Sequence, residues 1–163
     1  MTKTDILIFE MIKYFEGDTK RTQHFIKVHE FARLIGISEG LSKDEQFVLE
    51  TAAVVHDIGI KKAEELYGRC DGPLQEKLGP DIAKDMLEGL GYDNSVIERV
   101  MYLIAHHHTY KDITEVDYQI LVEADFLVNN YEDSLSKQAV QNTYEKIFKT
   151  ATGRKICKEM FGL

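Results

Sequence analysis

The chain has 163 residues, 44% hydrophobic and 29% charged, enough for one domain with a core of its own. Its formal net charge of −8 disfavours bulk nucleic-acid binding, which depends on cationic side chains, and leaves a small anionic substrate to a metal ion or a few local Lys and Arg residues. Cys70 and Cys157 match no zinc spacing and read as free thiols in a reducing compartment. Lys3, Asp5, Glu10 and Lys13 interrupt the apolar residues of the N-terminus, which therefore reads as neither a signal peptide nor a membrane span, and the cytoplasm is the expected location.

Apolar periodicity then predicts a succession of helices. Ile6, Leu7, Phe9, Met11, Ile12, Tyr14 and Phe15 suit a first helix over 4–16, ended by Gly17. A second covers 20–36, with Val28, Ala32 and Ile35 inward and Gly36 as its stop. His24 extends that inward stripe by one turn. Ser42 with Glu45 forms a capping box for a central helix over 43–57. Its run Thr51–Val55 looks buried all round, ends in His56 and Asp57, and is turned away by Gly59. A short charged helix at 61–67 and a loop over 68–73 follow, and Pro80 suits a helix start. Ile82, Ala83, Met86, Leu87 and Leu90 mark that helix. Ile97, Val100, Met101 and Ile104 line another over 94–107, which runs into His106, His107 and His108. A helix over 116–131 carries Ile120, Leu121, Ala124, Leu127 and Val128, with Asp125 inside the apolar run. From Tyr131 onward one or two amphipathic helices dock through Tyr144, Ile147, Phe148, Ile156, Met160 and Phe161, with Thr152 as a cap. No alternating strand pattern of useful length occurs. The expectation is an all-α bundle of about seven to nine helices forming a single domain over 1–163.

Four polar groups interrupt this apolar interior: His24, His56, Asp57 and Asp125. Each alone has a structural explanation, as a hydrogen-bonded core histidine, a helix cap or a paired carboxylate. Together they are two imidazoles and two carboxylates on three helices with no local ion-pair partner, and burying such groups is costly unless something pairs with them. This nitrogen and oxygen mix suits a divalent Mn, Fe, Co, Ni or Zn ion.

On these residues the chain resembles the HD superfamily of metal-dependent phosphohydrolases. The matching pieces are His24 in Arg-Thr-Gln-His-Phe-Ile-Lys-Val, the doublet in Ala-Ala-Val-Val-His-Asp-Ile-Gly, and Asp125 in Glu-Ala-Asp-Phe-Leu. They fall in the order H…HD…D within residues 20–130, with 131–163 packing outside that core. The resemblance implies a compact HD-domain helical bundle holding a divalent metal ion (Mn, Fe, Co, Ni, Zn or Mg) through His24, His56, Asp57 and Asp125. Some members hold a second ion with further histidines. Here Leu78 stands where one of these is expected, before Gly79-Pro80, so one ion is favoured over two. Glu76, His107 and His108 are the candidates for a second metal or for substrate. His29 lies about 140° around its helix from His24 and is set aside, and His106 is expected to face solvent.

The activity implied is attack of a metal-activated water on a phosphoester, with Asp57, Lys61 and His107 as catalytic candidates and Arg21 and Lys61 as phosphate contacts. The expected partner is a small phosphorylated molecule such as a nucleotide, with neither bulk nucleic acid nor membrane, and a homodimer is allowed. Two alternatives stand beside this reading: a di-iron oxygenase-type HD enzyme, and a non-catalytic metal- or nucleotide-binding regulatory module.

Overall fold

The computed structural model describes all of residues 1–163 and contains nine helices and no strand. In chain order they are α1 (Lys3–Tyr14), α2 (Thr19–Glu39), α3 (Lys43–Val55), α4 (Gly59–Tyr67), α5 (Gly72–Gly89), α6 (Asn94–His106), α7 (Val116–Glu132), α8 (Lys137–Lys146) and α9 (Ala151–Phe161). Local chemistry sets most of their starts. Thr2 with Asp5 and Ser42 with Glu45 form capping boxes, while Asp18, Asp71, Ser136 and Thr150 accept from backbone N–H groups of the first turn.

The centre is α3 sandwiched by α2, α6 and α7, with α1 laid across it. Thr51 through His56 have no exposed surface, and Ala52 and Ala53 allow neighbouring helices to approach closely. Leu49, Val54, Val55, Val28, Ile35, Val100, Ile104, Leu121 and Leu127 meet there in one continuous core. On one flank α5 packs against both α4 and α6, and on the other α9 packs on α2 and α7. Glu123 fastens this second flank. Its buried carboxylate accepts from Lys149 N at 2.6 Å, Thr150 N at 2.9 Å, Thr150 Oγ1 at 2.5 Å and Gln119 Nε2 at 2.7 Å.

Several boundaries differ from the sequence expectation. Pro80 lies inside α5, not at its start: Asp71 caps the helix and Pro73 takes the first-turn position, where a missing N–H is harmless. Gly36 does not stop α2, which continues to Glu39 and ends on Gly40 at φ +79°, a backbone conformation suited to glycine. The last helix is capped by Thr150, with Thr152 already in its first turn.

Gly59 serves a different purpose from the expected breaker. It is the first residue of α4, and a Cβ there would lie 2.9 Å from Gly79 N and 3.0 Å from Gln75 O. Its missing side chain lets α4 touch the α5 backbone, which fixes the short turn after Val55. The doublet is thereby held between two helices at the edge of the core.

Candidate metal centre

The four interrupting residues converge on one point. His24 reaches it from the middle of α2, His56 and Asp57 from the end of α3, and Asp125 from the middle of α7. His24 Nε2 lies 3.2 Å from His56 Nε2, 3.3 Å from Asp57 Oδ2 and 3.2 Å from Asp125 Oδ1. His56 Nε2 lies 3.5 Å from Asp57 Oδ2 and 3.6 Å from Asp125 Oδ1. His107, fully buried at the end of α6, brings its Nε2 to 3.5 Å from the other oxygen of Asp57.

The ring orientations suit a cation among these groups. His56 Nδ1 lies 2.8 Å from the carbonyl of Ala53, and His107 Nδ1 lies 2.8 Å from that of Ile104. A carbonyl can only accept, so each Nδ1 carries hydrogen and Nε2 is the nitrogen turned toward the carboxylates. His107 Nε2 is buried with no hydrogen-bond partner. Lone pairs and carboxylates this close repel one another unless protons or a metal ion sit among them, and the donor set suits a divalent ion. Two overlapping triads are close enough to hold an ion, His24–His56–Asp57 and Asp57–His107–His108.

The HD domain family matches residues 21–151. The chain belongs to the HD domain family. The HD domain match runs past the motif core of 20–130, through α8 to the start of α9. An uncharacterized protein from Clostridium beijerinckii is 30% identical over 119 residues, 71% of each chain. The crystal structure of a predicted HD superfamily hydrolase from an uncultured Thermotogales bacterium is similar at a TM-score of 0.70 and 25% identity, covering 97% of this chain and 84% of that one.

Electrostatics in this HD domain follow from the crowding. Burial works against a charged His24, but the hydrogen bond to Asp125 and the charges of Asp57 and Asp125 outweigh it and push its pKa up to about 9. His56 is raised likewise, with burial again opposed by Asp57 and Asp125. Burial alone would raise the two carboxyls, yet their imidazole partners hold both below the usual carboxylate range. His108 moves the other way, down to about 4, because burial and the neighbouring His107 both disfavour its cation.

The cluster opens into a cleft of about 390 Å³ whose rim includes Lys20, Arg21, Cys70, Gln75, Asn129 and Glu132. A larger groove of about 710 Å³ between α3, α6 and α7 has no histidine in its lining, so donor chemistry rather than volume locates the site.

The remaining candidates are distributed as follows. Arg21 borders the cleft, but its guanidinium is paired with Asp18 and lies 2.5 Å from Glu64 Oε1. Lys61 points elsewhere: its ammonium donates to the carbonyl of Tyr14 at 2.9 Å and sits over the Tyr14 ring. Glu76 accepts from the backbone N–H of His108 at 3.0 Å and from Thr109 Oγ1 at 3.1 Å, which pins the loop after α6. Leu78 is half-buried on α5, and the α5 side chain that meets His108 is Gln75, with Oε1 at 2.9 Å from His108 Nε2. His106 stacks on Tyr102, and His29 Nε2 lies 3.3 Å from Glu50 Oε2.

Among the cleft residues that escaped the sequence reading are Lys20, Gln75, Asn129 and Glu132. Asn129 donates to Asp125 Oδ1 at 2.9 Å, and Glu132 Oε2 lies 2.9 Å from His24 Nδ1. Both follow Asp125 at helical spacing, four and seven residues on, a signal that was present in the sequence.

Proposed function

We propose that the protein is a divalent-metal-dependent phosphohydrolase. It holds one ion through His24, His56, Asp57 and Asp125 and cleaves a phosphoester of a nucleotide or related small molecule. The observation that carries this reading is that the Asp57 and Asp125 carboxylates each lie within 3.6 Å of both the His24 and the His56 Nε2 beside a cleft. The description of the Thermotogales relative as a hydrolase supports it. A divalent ion in such a donor set polarises a phosphoryl oxygen and acidifies water.

The chain's own groups then divide the work. Lys20, exposed on the rim and outside every ion pair, attracts and orients the anionic substrate, and Arg21 beside it contributes once substrate displaces Asp18 or Glu64 from its guanidinium. Asp57 orients the nucleophile with a carboxylate whose depressed pKa makes it a weak base. His107 Nε2, a buried lone pair 3.5 Å from Asp57 Oδ1, takes the proton that leaves the nucleophile. His108, kept neutral, serves as a polar wall and not as a cation.

We place this activity in the cytoplasm. Both cysteines are free, and no helix is long and apolar enough to cross a membrane. A second reading, in which Asp57, His107 and His108 would hold a further ion, has one observation in its favour, the closeness of those three side chains.

The test is a panel of nucleotides and simple phosphoesters, assayed with metal analysis of the purified protein. Phosphate release should require a divalent ion and fall to background in Asp57→Ala. Turnover by metal-free wild type, or normal turnover by Asp57→Ala, would falsify the proposal. Iron-dependent oxygen consumption selects the oxygenase alternative, and tight nucleotide binding without turnover selects the regulatory module.

A further inference from the structure

The three buried histidines of the cluster solve one problem in two ways. Each must hold its ring so that Nε2 faces the carboxylates. His56 and His107 are the C-cap residues of α3 and α6, where the last-turn carbonyls have no intrahelical partner. Each uses one of these, at position i−3, to hold Nδ1–H. His24 cannot do so. It lies five residues inside the 21-residue helix α2, where the preceding carbonyls are occupied by the helix itself.

The structure fills the gap with a side chain from another helix. Glu132 Oε2 lies 2.9 Å from His24 Nδ1, on the opposite side of the ring from Asp125 Oδ1, which is 3.2 Å from Nε2. Asp125 and Glu132 are seven residues apart on one face of α7, so a single helix grips both nitrogens of the ring. The other oxygen of Glu132 is held by Lys27 Nζ at 2.7 Å, and Lys27 is one turn from His24 on α2. The result is a closed lattice between two helices: His24 and Lys27 on one, Asp125 and Glu132 on the other.

We propose that Glu132, held by Lys27, is the positioning residue that fixes the ring orientation and tautomer of His24 for metal binding. This rests on the metal reading given above. A carboxylate at the far nitrogen keeps hydrogen on Nδ1, leaves the Nε2 lone pair for the ion, and makes that nitrogen a better donor. Glu132 touches neither ion nor substrate in this role and acts through His24.

The experiment compares wild type with Glu132→Ala, Glu132→Gln and Lys27→Ala, measuring Mn²⁺ dissociation constants by titration and the His24 imidazole tautomer by ¹⁵N NMR of the Zn²⁺-loaded proteins. Glu132→Ala should weaken ion binding by about 10- to 100-fold. Glu132→Gln, which keeps an acceptor, should recover most of that loss, and Lys27→Ala should lose less than Glu132→Ala. The wild-type spectrum should show His24 with hydrogen on Nδ1. Two results overturn the assignment: Glu132→Ala binding Mn²⁺ within twofold of wild type, or His24 carrying hydrogen on Nε2. If Glu132→Ala does not fold, the wild-type tautomer and Glu132→Gln still decide. If wild type takes up no divalent ion, the metal reading itself fails and this inference falls with it, whereas normal wild-type uptake with an indifferent Glu132→Ala removes only the role of Glu132.

Discussion

Protons and a metal ion compete for the same nitrogens in this cluster, and the competition sets a measurable pH dependence. His24 in the metal-free protein has a pKa of about 9, raised from 6.5 against the opposing effect of burial by Asp125 and Asp57. At pH 7 the proton therefore holds the ring by roughly 100 to one, and an ion must displace it at a free-energy cost on the order of 3 kcal/mol. Apparent affinity should rise about tenfold for each pH unit between roughly 6.5 and 9, and level off above that. His56 is raised in the same direction, so a second proton can steepen the lower part of the curve. Titration calorimetry with Mn²⁺ in two buffers of different ionisation enthalpy counts the protons released. At pH 7 it should report at least one proton per ion. Affinity that is flat between pH 6.5 and 8.5, with no proton release, refutes the argument that carboxylate crowding holds these imidazoles charged.

The same shift gives the metal-free fold its own pH trend. Because the folded pKa of His24 lies above the unfolded value, its stabilisation is complete below about pH 6.5 and is lost as pH rises through about 9, a change on the order of 3 kcal/mol. Thermal melts of chelator-treated protein should thus decline across that window, and a flat profile counts against the charged ring. Gly59→Ala would bring a Cβ to 2.9 Å from Gly79 N, so the α4–α5 contact must open, and urea unfolding should show a loss of about 1–3 kcal/mol. An unchanged midpoint would show that the turn after the doublet does not depend on this approach. Glu123→Ala removes the acceptor for three donors at the start of α9 and for Gln119 on α7, and a loss of roughly 3 kcal/mol is expected, with increased amide exchange in α8 and α9. Undisturbed exchange there would mean that apolar docking alone holds the C-terminal helices.

The helices were legible because apolar residues recur with helical period, and capping residues marked most starts. Glycine and proline were the weaker guides. Gly36 and Pro80 read as punctuation yet sit inside helices, because whether a glycine breaks a helix or admits a neighbour depends on what packs there. Gly59 shows this most clearly, since its partners Gln75 and Gly79 are supplied by another helix. Asp71-Gly72-Pro73 did carry a start signal for α5, in the form of a cap followed by a first-turn proline.

For the site, His24, His56, Asp57 and Asp125 stood out as polar residues inside apolar runs, a property each position shows locally. The groups that orient them were harder to see. Glu132 and Asn129 look like ordinary polar residues near the end of α7 until α2 is placed beside them. Lys61 read as a phosphate contact from its closeness in sequence to the doublet, but α4 turns it toward Tyr14. Gln75 reaches His108 across 33 residues, a pairing that only the α5–α6 packing creates.

The central claim, that this cluster holds a divalent ion, is tested most directly by anomalous X-ray scattering from crystals of protein purified without chelator. The account predicts one strong peak within bonding distance of His24 Nε2, His56 Nε2, Asp57 and Asp125. No peak at this point, or an ion bound elsewhere while the four side chains remain paired only with each other, would contradict it.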